Sequence, residues 1–288
     1  MDPDIDLKGD ALKAERFHLL EDIAADLSEG DIVFPVCFEL HQRIRKLLQD
    51  EDLSLEKLAS QIALEPLIDA KLLRLANSVA YRKNGPEVVD VKSAIVCLGL
   101  SMVRNVALAV TINQLRRLSA IADFEEMAAH LWIHSLRVAC TAEVIARRRT
   151  RINPDEAMLA GLVHDIGAFY MLYRATQYAD LRSRPDTLRY LIVRWHESIG
   201  ESVLSALEMP EEIVEAVRDH DQPREIFGPL RKFCDVIYIS NALAGGLFEW
   251  QFRDEAMGMP DIQGIVEAYR DLEDEIRQRV AQMEQILA

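Results

Sequence analysis

Apolar residues recur three and four positions apart along nearly the whole chain, and runs of alternating polar and apolar residues are absent. This spacing places apolar side chains on one face of a helix, and it therefore predicts an all-α fold. Regular repeats begin after Pro35, after the capping residue Ser54 and at Ile68, and a further apolar helix is expected over about 103–112. The same spacing continues through the second half of the chain.

The helical pattern lapses between Arg116 and Glu126, which predicts a domain boundary in this region. We expect an N-terminal helical bundle over residues 1–120, packed on a second helical domain over residues 121–258. The tail, residues 259–288, carries apolar residues on one helical face and charged residues on the opposite face. It is predicted to be an amphipathic helix that packs on its own domain or on another subunit.

Composition narrows the classes of function. The 288 residues include 33 Lys and Arg against 48 Asp and Glu, so the formal net charge is -15. This balance disfavours broad attraction to nucleic acid or to an anionic membrane surface. The cysteines are scattered without a CxxC pair, the N-terminus is too acidic for a signal peptide, and no apolar stretch is uncharged over the length of a membrane span. We therefore expect a cytoplasmic protein.

Three arginines end the long helix that is predicted over about 127–149. Positive charge suits the negative end of a helix dipole, which is the ordinary explanation of Arg147, Arg148 and Arg149. A phosphate-binding patch is the alternative, and with it a nucleic-acid-binding role that the net charge disfavours.

Several predicted helices carry an imidazole, carboxylate or amide within an otherwise apolar face. These residues are His134, His164 with Asp165, His196, His220 and Asn241. One such residue alone is usually a hydrogen-bonded part of the core. Burying each of them separately would cost about 1–3 kcal/mol wherever a partner is missing, so convergence on one site is the simpler explanation. Imidazole nitrogen and carboxylate oxygen together suit Zn, Mn, Fe or Ni.

The helix that carries His164 has clear end signals. Asn153 followed by Pro154 is a strong helix start, and Gly167 is predicted to stop the helix. On this interpretation, His164 and Asp165 share the last turn and converge on one point.

These site residues lie within two strings, Trp132-x-His134-Ser135 and Ala160-Gly161-Leu162-Val163-His164-Asp165-Ile166-Gly167. The strings resemble the HD superfamily of metal-dependent phosphohydrolases. The upstream part is similar to the HDOD family, the HD-related output domain of bacterial signalling proteins, and the resemblance spans about residues 30–250. Its matching features are Phe34-Pro35, Ser54-Leu55-x-x-Leu58-Ala59, Glu65-Pro66, Leu72-Leu73-Arg74-Leu75-Ala76-Asn77-Ser78 and Ala94-Ile95-x-x-Leu98-Gly99.

The HD resemblance implies a divalent metal, which could be Zn, Mn, Fe, Ni or Mg, held by His134, His164, Asp165 and the residue at position 241. Asn241 stands where the family's enzymes have an aspartate, and its neutral oxygen would bind a cation more weakly. Asp235 lies off this face and is not expected to replace it.

The dinuclear members of the superfamily imply further ligands. His196 and His220 resemble those positions. The second signature of that branch, His-Asp-x-Gly-Tyr-Pro, is absent because Gly167 is followed by Ala168-Phe169. This absence argues against a cyclic-dinucleotide phosphodiesterase.

The HDOD resemblance implies a regulatory protein of bacterial signal transduction, which contacts a signalling protein partner or senses a ligand without catalysis. In that case the metal site is degenerate, and the metal can be absent. The alternative is a metal-dependent phosphohydrolase acting on a nucleotide or another phosphate ester, with Asp165 as a catalytic residue that orients water. Neither interpretation decides whether the protein forms a homo-oligomer.

Overall fold

The computed structural model describes residues 10–29, 43–44, 46–48, 50, 53–82, 85–222, 224, 226, 229–245 and 262–288. Within these residues the regular secondary structure is helical and no strand occurs. The predicted all-α fold is confirmed. The helix predicted to follow Pro35 lies mostly outside the described residues.

The described part of the chain is organised into the following helices. They are α1 (Asp10–Glu29), α2 (Leu55–Ile62), α3 (Pro66–Ala76), α4 (Val79–Arg82), α5 (Val91–Leu98), α6 (Leu100–Leu115), α7 (Glu125–Arg149), α8 (Pro154–Val163), α9 (Ile166–Ala175), α10 (Ala179–Arg182), α11 (Pro185–Ala206), α12 (Glu211–Val217), α13 (Phe233–Ala244), α14 (Ile262–Ala268) and α15 (Glu273–Leu287). Short 3₁₀ segments, Ser119–Phe124 and Arg270–Leu272, precede α7 and α15.

The described residues fall into two compact units. The small unit draws on residues 35–115 and 277–288, and the large unit draws on residues 1–34 and 116–276. The division near residue 116 lies at the edge of the region where the helical pattern lapses. Whether residues 1–120, 121–258 and 259–288 fold as independent domains stays a prediction.

Local sequence explains where key helices begin. The Ser54 hydroxyl accepts a hydrogen bond from the backbone N–H of Lys57 at 3.1 Å, and the Asn153 side chain accepts one from Asp155 N–H at 2.9 Å. Pro154 occupies the first turn of α8, where its missing N–H costs nothing. Both predicted N-caps are therefore confirmed.

The small unit has an apolar core. Leucine and isoleucine side chains from α2 and α3 are completely buried at Leu58, Ile62, Leu72 and Leu75. The C-terminal helix adds Met283, Ile286 and Leu287 to the buried set, and the Asn113 amide donates to the carbonyl of Leu287 at 3.0 Å. The end of the tail thus packs on its own chain.

Asn77, at the C-terminal end of α3, organises a connection in the same unit. Its Nδ2 donates to the carbonyls of Leu73 at 3.0 Å and Val88 at 2.7 Å, and its Oδ1 accepts from Val88 N–H at 2.9 Å. One side chain thereby satisfies both backbone groups of Val88, much as a paired strand would.

The tail predicted as one amphipathic helix forms two helices, α14 and α15, with a 3₁₀ turn between them. At this turn Leu272 is buried, and an Asp271 carboxylate oxygen lies 2.6 Å from the Arg149 guanidinium. Arg148 pairs with Glu275 at 2.9 Å, and Arg147 pairs with Glu143. All three arginines at the end of α7 therefore have acidic partners, in addition to their favourable position in the helix dipole.

Gly167 has a different role from the predicted one. It lies inside α9 rather than ending a helix, so that prediction is wrong. A Cβ atom at this position would lie 2.0 Å from the carbonyl oxygen of His196 and 2.5 Å from the backbone nitrogen of Gly200. Gly167 is therefore required for the close crossing of α9 and α11, where it lies against Gly200.

The first helix, α1, precedes the first helix that the sequence pattern predicts. It packs in the large unit, where Leu19 and Ile23 are buried. On its polar side, Asp26 pairs with Arg174 of α9 and Asp22 accepts a hydrogen bond from the Tyr178 hydroxyl.

Among the described helices, none by itself has the length and apolar composition needed to cross a membrane. The pair α5 and α6 meets that criterion only when taken together, and it bends by 112°.

Candidate metal centre

Five of the predicted site residues meet in the large unit. His134 comes from the middle of α7, His164 and Asp165 from the junction of α8 and α9, His196 from α11, and His220 from the turn after α12. The Nε2 atoms of His134 and His164 are 3.1 Å apart, and those of His196 and His220 are 3.3 Å apart. Residues up to 86 positions apart in sequence thus form one cluster.

The junction of α8 and α9 aims two ligands at one point. α8 ends at Val163 and α9 begins at Ile166, so His164 and Asp165 occupy a short turn between two helices. The predicted convergence of these two residues is observed, although it results from this turn and not from a glycine stop.

A residue with a left-handed backbone conformation precedes His220 and turns the chain toward the cluster. Asp219 follows the end of α12 with φ of 55°, a conformation that Asp tolerates better than most residues. The chain turns at this point, and His220 becomes 1% exposed.

Three of the imidazoles are oriented by backbone carbonyls. Nδ1 lies 2.8 Å from Gly161 O in His164, 2.8 Å from Ile192 O in His196 and 2.7 Å from Val217 O in His220. A carbonyl oxygen can only accept, so each Nδ1 must carry the proton. The Nε2 atoms are then the metal-binding atoms, and they face one another across the cluster.

Asp165 is the centre of the arrangement. Its Oδ2 lies 3.2 Å from His164 Nε2 and 3.8 Å from His134 Nε2. Its Oδ1 lies 3.3 Å from His220 Nε2 and 3.6 Å from His196 Nε2. Each carboxylate oxygen therefore belongs to a separate set of three donor atoms that could hold a cation.

The donor atoms fit a divalent metal. Metal bonds of about 2.0–2.1 Å to nitrogen and oxygen place adjacent ligand atoms about 2.9–3.4 Å apart. Four of the six separations in the two sets, at 3.1–3.3 Å, match that spacing. The distances from Asp165 to His134, at 3.8 Å, and to His196, at 3.6 Å, are longer. Nε2 atoms that face each other at this range repel unless a proton or a cation lies between them, so the cluster has the chemistry of a metal site.

Asn241 is at the cluster, but it does not act as a simple substitute for a carboxylate. It is 1% exposed, and its Nδ2 donates to Asp221 Oδ1 at 2.7 Å. The other carboxylate oxygen of Asp221 lies 3.6 Å from His196 Nε2. Asn241 Oδ1 has no donor at hydrogen-bond geometry, yet its dipole is near enough to favour the protonated form of His134.

Two acidic residues at the cluster were missed as site members by the sequence analysis. Asp221 follows His220, and Glu197 follows His196. Glu197 accepts from the backbone N–H of Asp221 at 2.8 Å and from Gln222 Nε2 at 3.0 Å, so it holds the turn that carries His220 and Asp221. The sequence signal that could have identified both acidic residues is their position directly after a histidine of the site. Asp235 lies elsewhere, 3.9 Å from Arg224.

Burial and neighbouring charges set the protonation of the cluster. Burial and the charge of His164 together lower the pKa of His134 to about 4, although the charge of Asp165 opposes the change. Burial also lowers the pKa of His220, but hydrogen bonding to Asp165 and the charge of Asp221 prevail and raise it to about 10. Burial raises the pKa of Asp165, but His164 and His220 hold it well below its usual range. A metal that binds His220 must therefore displace a proton.

Solved structures with the same fold are available for comparison. A candidate metal-dependent phosphohydrolase from Shewanella amazonensis SB2B is 23% identical, with a TM-score of 0.73 over 96% of this chain and 100% of that chain. An HDOD domain protein of unknown function from Geobacter sulfurreducens is 19% identical, with a TM-score of 0.57 over 90% and 96% of the two chains. A candidate signal transduction protein from Marinobacter aquaeolei VT8 is 18% identical, with a TM-score of 0.58 over 95% and 66%. At these identities the likeness establishes the fold alone.

No curated protein matches the sequence. A family model does: that of the HDOD domain matches residues 34–223, which include His134, His164, Asp165, His196 and His220, while Asn241 lies beyond its end. The match covers more than half of the chain, and the chain therefore belongs to the HDOD domain family.

Proposed function

We propose that this protein is a regulatory HDOD module of bacterial signal transduction whose metal centre stabilises the large unit and does not turn over a substrate. The observation that supports this proposal is the burial of the centre. The exposed side-chain fraction is at most 3% for His134, His164, Asp165, His196 and His220. A hydrolytic metal site needs an open coordination position that a substrate can reach, and side chains buried to this extent leave no exposed ligand for it to meet.

The Asn241 position supports the same conclusion. A carboxylate in this place would add negative charge for a divalent cation, whereas Asn241 uses its amide to bind Asp221. The neutral oxygen is a weaker ligand for a hard cation than a carboxylate. The chain's own residues thus hold and orient the donor atoms, and one expected anionic ligand is missing.

The signalling role rests on family membership. We infer a signalling protein as the partner, because the HDOD resemblance implies one and the net charge of -15 disfavours nucleic acid. We infer the cytoplasm as the location, because scattered cysteines without a CxxC pair suit a reducing compartment.

A metal-dependent phosphohydrolase is the second candidate, and one observation favours it. The two donor sets share Asp165, with one carboxylate oxygen directed to each set, which would suit two cations side by side. A bound metal supplies Lewis acidity and lowers the pKa of a water ligand. In this case Asp165 would orient the attacking water, and a nucleotide or another phosphate ester would be the substrate.

Metal content and phosphate release together distinguish the two functions. The full chain, purified without chelator, is compared with the His164→Ala/Asp165→Ala double variant and with His130→Ala, which removes an exposed imidazole from the same helix as His134. The proposal expects bound metal in the full chain and in His130→Ala, loss of metal in the double variant, and no hydrolysis of bis(p-nitrophenyl) phosphate with Mn²⁺ or Zn²⁺ added.

Hydrolysis that requires added metal and disappears in Asp165→Ala would establish the phosphohydrolase instead. Equal metal content in the full chain and the double variant would contradict a metal centre at His164 and Asp165. Neither function could then depend on that centre.

A further inference from the structure

A cleft separates α1 from α11 in the large unit. Its volume is about 540 Å³, within the range of about 300–1,000 Å³ that small-molecule sites occupy. The residues that line it are Leu20, Glu21, Ile23, Ala24, Leu27 and Ser28 of α1 with Trp195, Ser198, Ile199 and Ser202 of α11. None of these residues belongs to the metal centre, although both sites use α11.

The body of the cleft is apolar. Aliphatic side chains from α1 face Trp195 and Ile199 of α11 across it. Trp195 is 42% exposed, which leaves a large aromatic surface in contact with water. An apolar ligand in the cleft would cover that surface, and the burial would favour binding.

The serine hydroxyls of the cleft donate hydrogen bonds within their own helices, whereas the indole N–H of the lining residue Trp195 is a donor. The hydroxyl of Ser28 donates to Ala24 O at 2.7 Å, that of Ser198 to Trp195 O at 3.1 Å, and that of Ser202 to Ser198 O at 3.0 Å. Each hydroxyl hydrogen is thereby committed to its own helix, and the oxygen lone pairs remain available.

Charge at the cleft has one sign. Glu21 is the acidic lining residue, with 69% of its side chain exposed, and its Oε2 lies 3.7 Å from Nδ1 of His18, which is outside the lining. No lysine or arginine is among the ten lining residues in the described chain. A ligand that suits this lining has an apolar body and a head that donates hydrogen bonds or carries positive charge.

We propose that the cleft between α1 and α11 binds a small apolar molecule that carries a cationic amine. The apolar body lies against Ile23, Leu27 and Trp195, and the ammonium group lies beside Glu21. The indole of Trp195 adds attraction for the cation. The proposal does not depend on the metal centre or on whether the protein is catalytic.

Three probes of equal chain length test the charge preference. Calorimetric titration of the full chain with octylammonium, octanol and octanoate compares a cation, a neutral molecule and an anion with the same apolar body. Octylammonium is expected to bind about tenfold more tightly than octanol, because one exposed ion pair and one cation–π contact together contribute that much. Octanoate is expected to bind most weakly.

Matched variants locate the binding site. Glu21→Gln should reduce the preference for octylammonium over octanol from about tenfold to about threefold, because the cation–π contact with Trp195 remains. Glu29→Gln, at an exposed position of α1 outside the cleft, should leave the preference unchanged. Ala24→Phe places a phenyl group within the cleft and should weaken octylammonium binding, because the ring competes with the octyl chain for the apolar lining. Ala25→Phe, at an exposed neighbouring position, should have no effect.

Equal affinity for the three probes, or equal effects of Ala24→Phe and Ala25→Phe, would overturn the proposal. A melting temperature lowered by Ala24→Phe and not by Ala25→Phe, with no probe present, would also overturn it, since the cleft would then be filled by the protein itself.

Discussion

The two units bury different kinds of side chain within the same kind of helical core. In the small unit most of the buried side chains are apolar, with Leu58, Ile62, Leu72 and Leu75 at 0% exposure, and the buried polar ones described there are Asn105, Thr111, Asn113 and Arg279. In the large unit, four histidines and an aspartate are buried together to a similar extent. An aliphatic core depends on filled volume, whereas a polar core depends on a partner for every donor and acceptor. The two units should therefore respond differently to cavities and to metal.

The largest change in the free energy of unfolding is expected from a cavity in the small unit. Leu72→Ala should lower the free energy of unfolding by about 3 kcal/mol, because a fully buried leucine loses its contacts and leaves an empty volume. Urea denaturation with and without chelator measures this loss, which should be the same in both. Leu67→Ala makes the same chemical change at a residue of α3 that is 43% exposed, and it should cost much less. Equal losses in the two variants would contradict the assignment of the core.

Metal removal should act on the large unit alone. A cation present at 100 times its dissociation constant stabilises the folded state by about 2.7 kcal/mol, and a chelator removes that contribution. Hydrogen exchange should then become faster in α7 and α8, which surround the cluster, and stay unchanged in α3 and α6. Equal acceleration in both units would show that the difference in core chemistry has no consequence for stability.

Gly167→Ala tests the helix crossing next to the cluster. Its Cβ would lie 2.0 Å from His196 O, so α9 and α11 must move apart at a cost of about 2 kcal/mol. Because His196 belongs to the cluster, metal affinity should also fall. Gly200→Ala is the control, since its Cβ would meet atoms no closer than 3.4 Å. Denaturation and metal titration of both variants measure the effects, and similar results for the two would count against the close crossing.

The smallest effect is expected where the small unit uses a polar side chain. Asn77→Ala removes three hydrogen bonds to Leu73 and Val88 and should cost about 1.5 kcal/mol, with no change in metal affinity. Asn77→Asp keeps the acceptor for Val88 N–H but places an oxygen against the carbonyls of Leu73 and Val88, so it should not recover the loss. A fall in metal affinity in either variant would show that the two units are coupled.

Much of the fold could be predicted because helix signals are local. The cap at Ser54, the Asn153-Pro154 start of α8 and the 3.6-residue period each act within one or two turns. α1 was missed because it has little amphipathic pattern of its own, and it is held by tertiary contacts such as Asp26 with Arg174. The role of Gly167 was missed because close contact with His196 O, 29 residues away, is not a local property.

The candidate site could be predicted as a set of residues but not as a geometry. Histidines that interrupt apolar faces indicated convergence, and the structure brings His134, His164, Asp165, His196 and His220 together. The places of Asp221 and Glu197 depend on the turn after α12, where Asp219 adopts a left-handed conformation. The pairing of Asn241 with Asp221 joins residues 20 positions apart, and no spacing rule predicts it.

The amino-acid sequence by itself determined the helical class, the starts of individual helices, the family resemblance and the identities of the polar residues that face inward, because each of these follows from local periodicity or from a short motif. Only the tertiary structure decided that Asp165 lies between two pairs of imidazoles, that these five side chains are buried, and that α1 and α11 leave an apolar cleft between them. Each of these depends on distances between helices, which are set by packing across the whole unit rather than by any one segment.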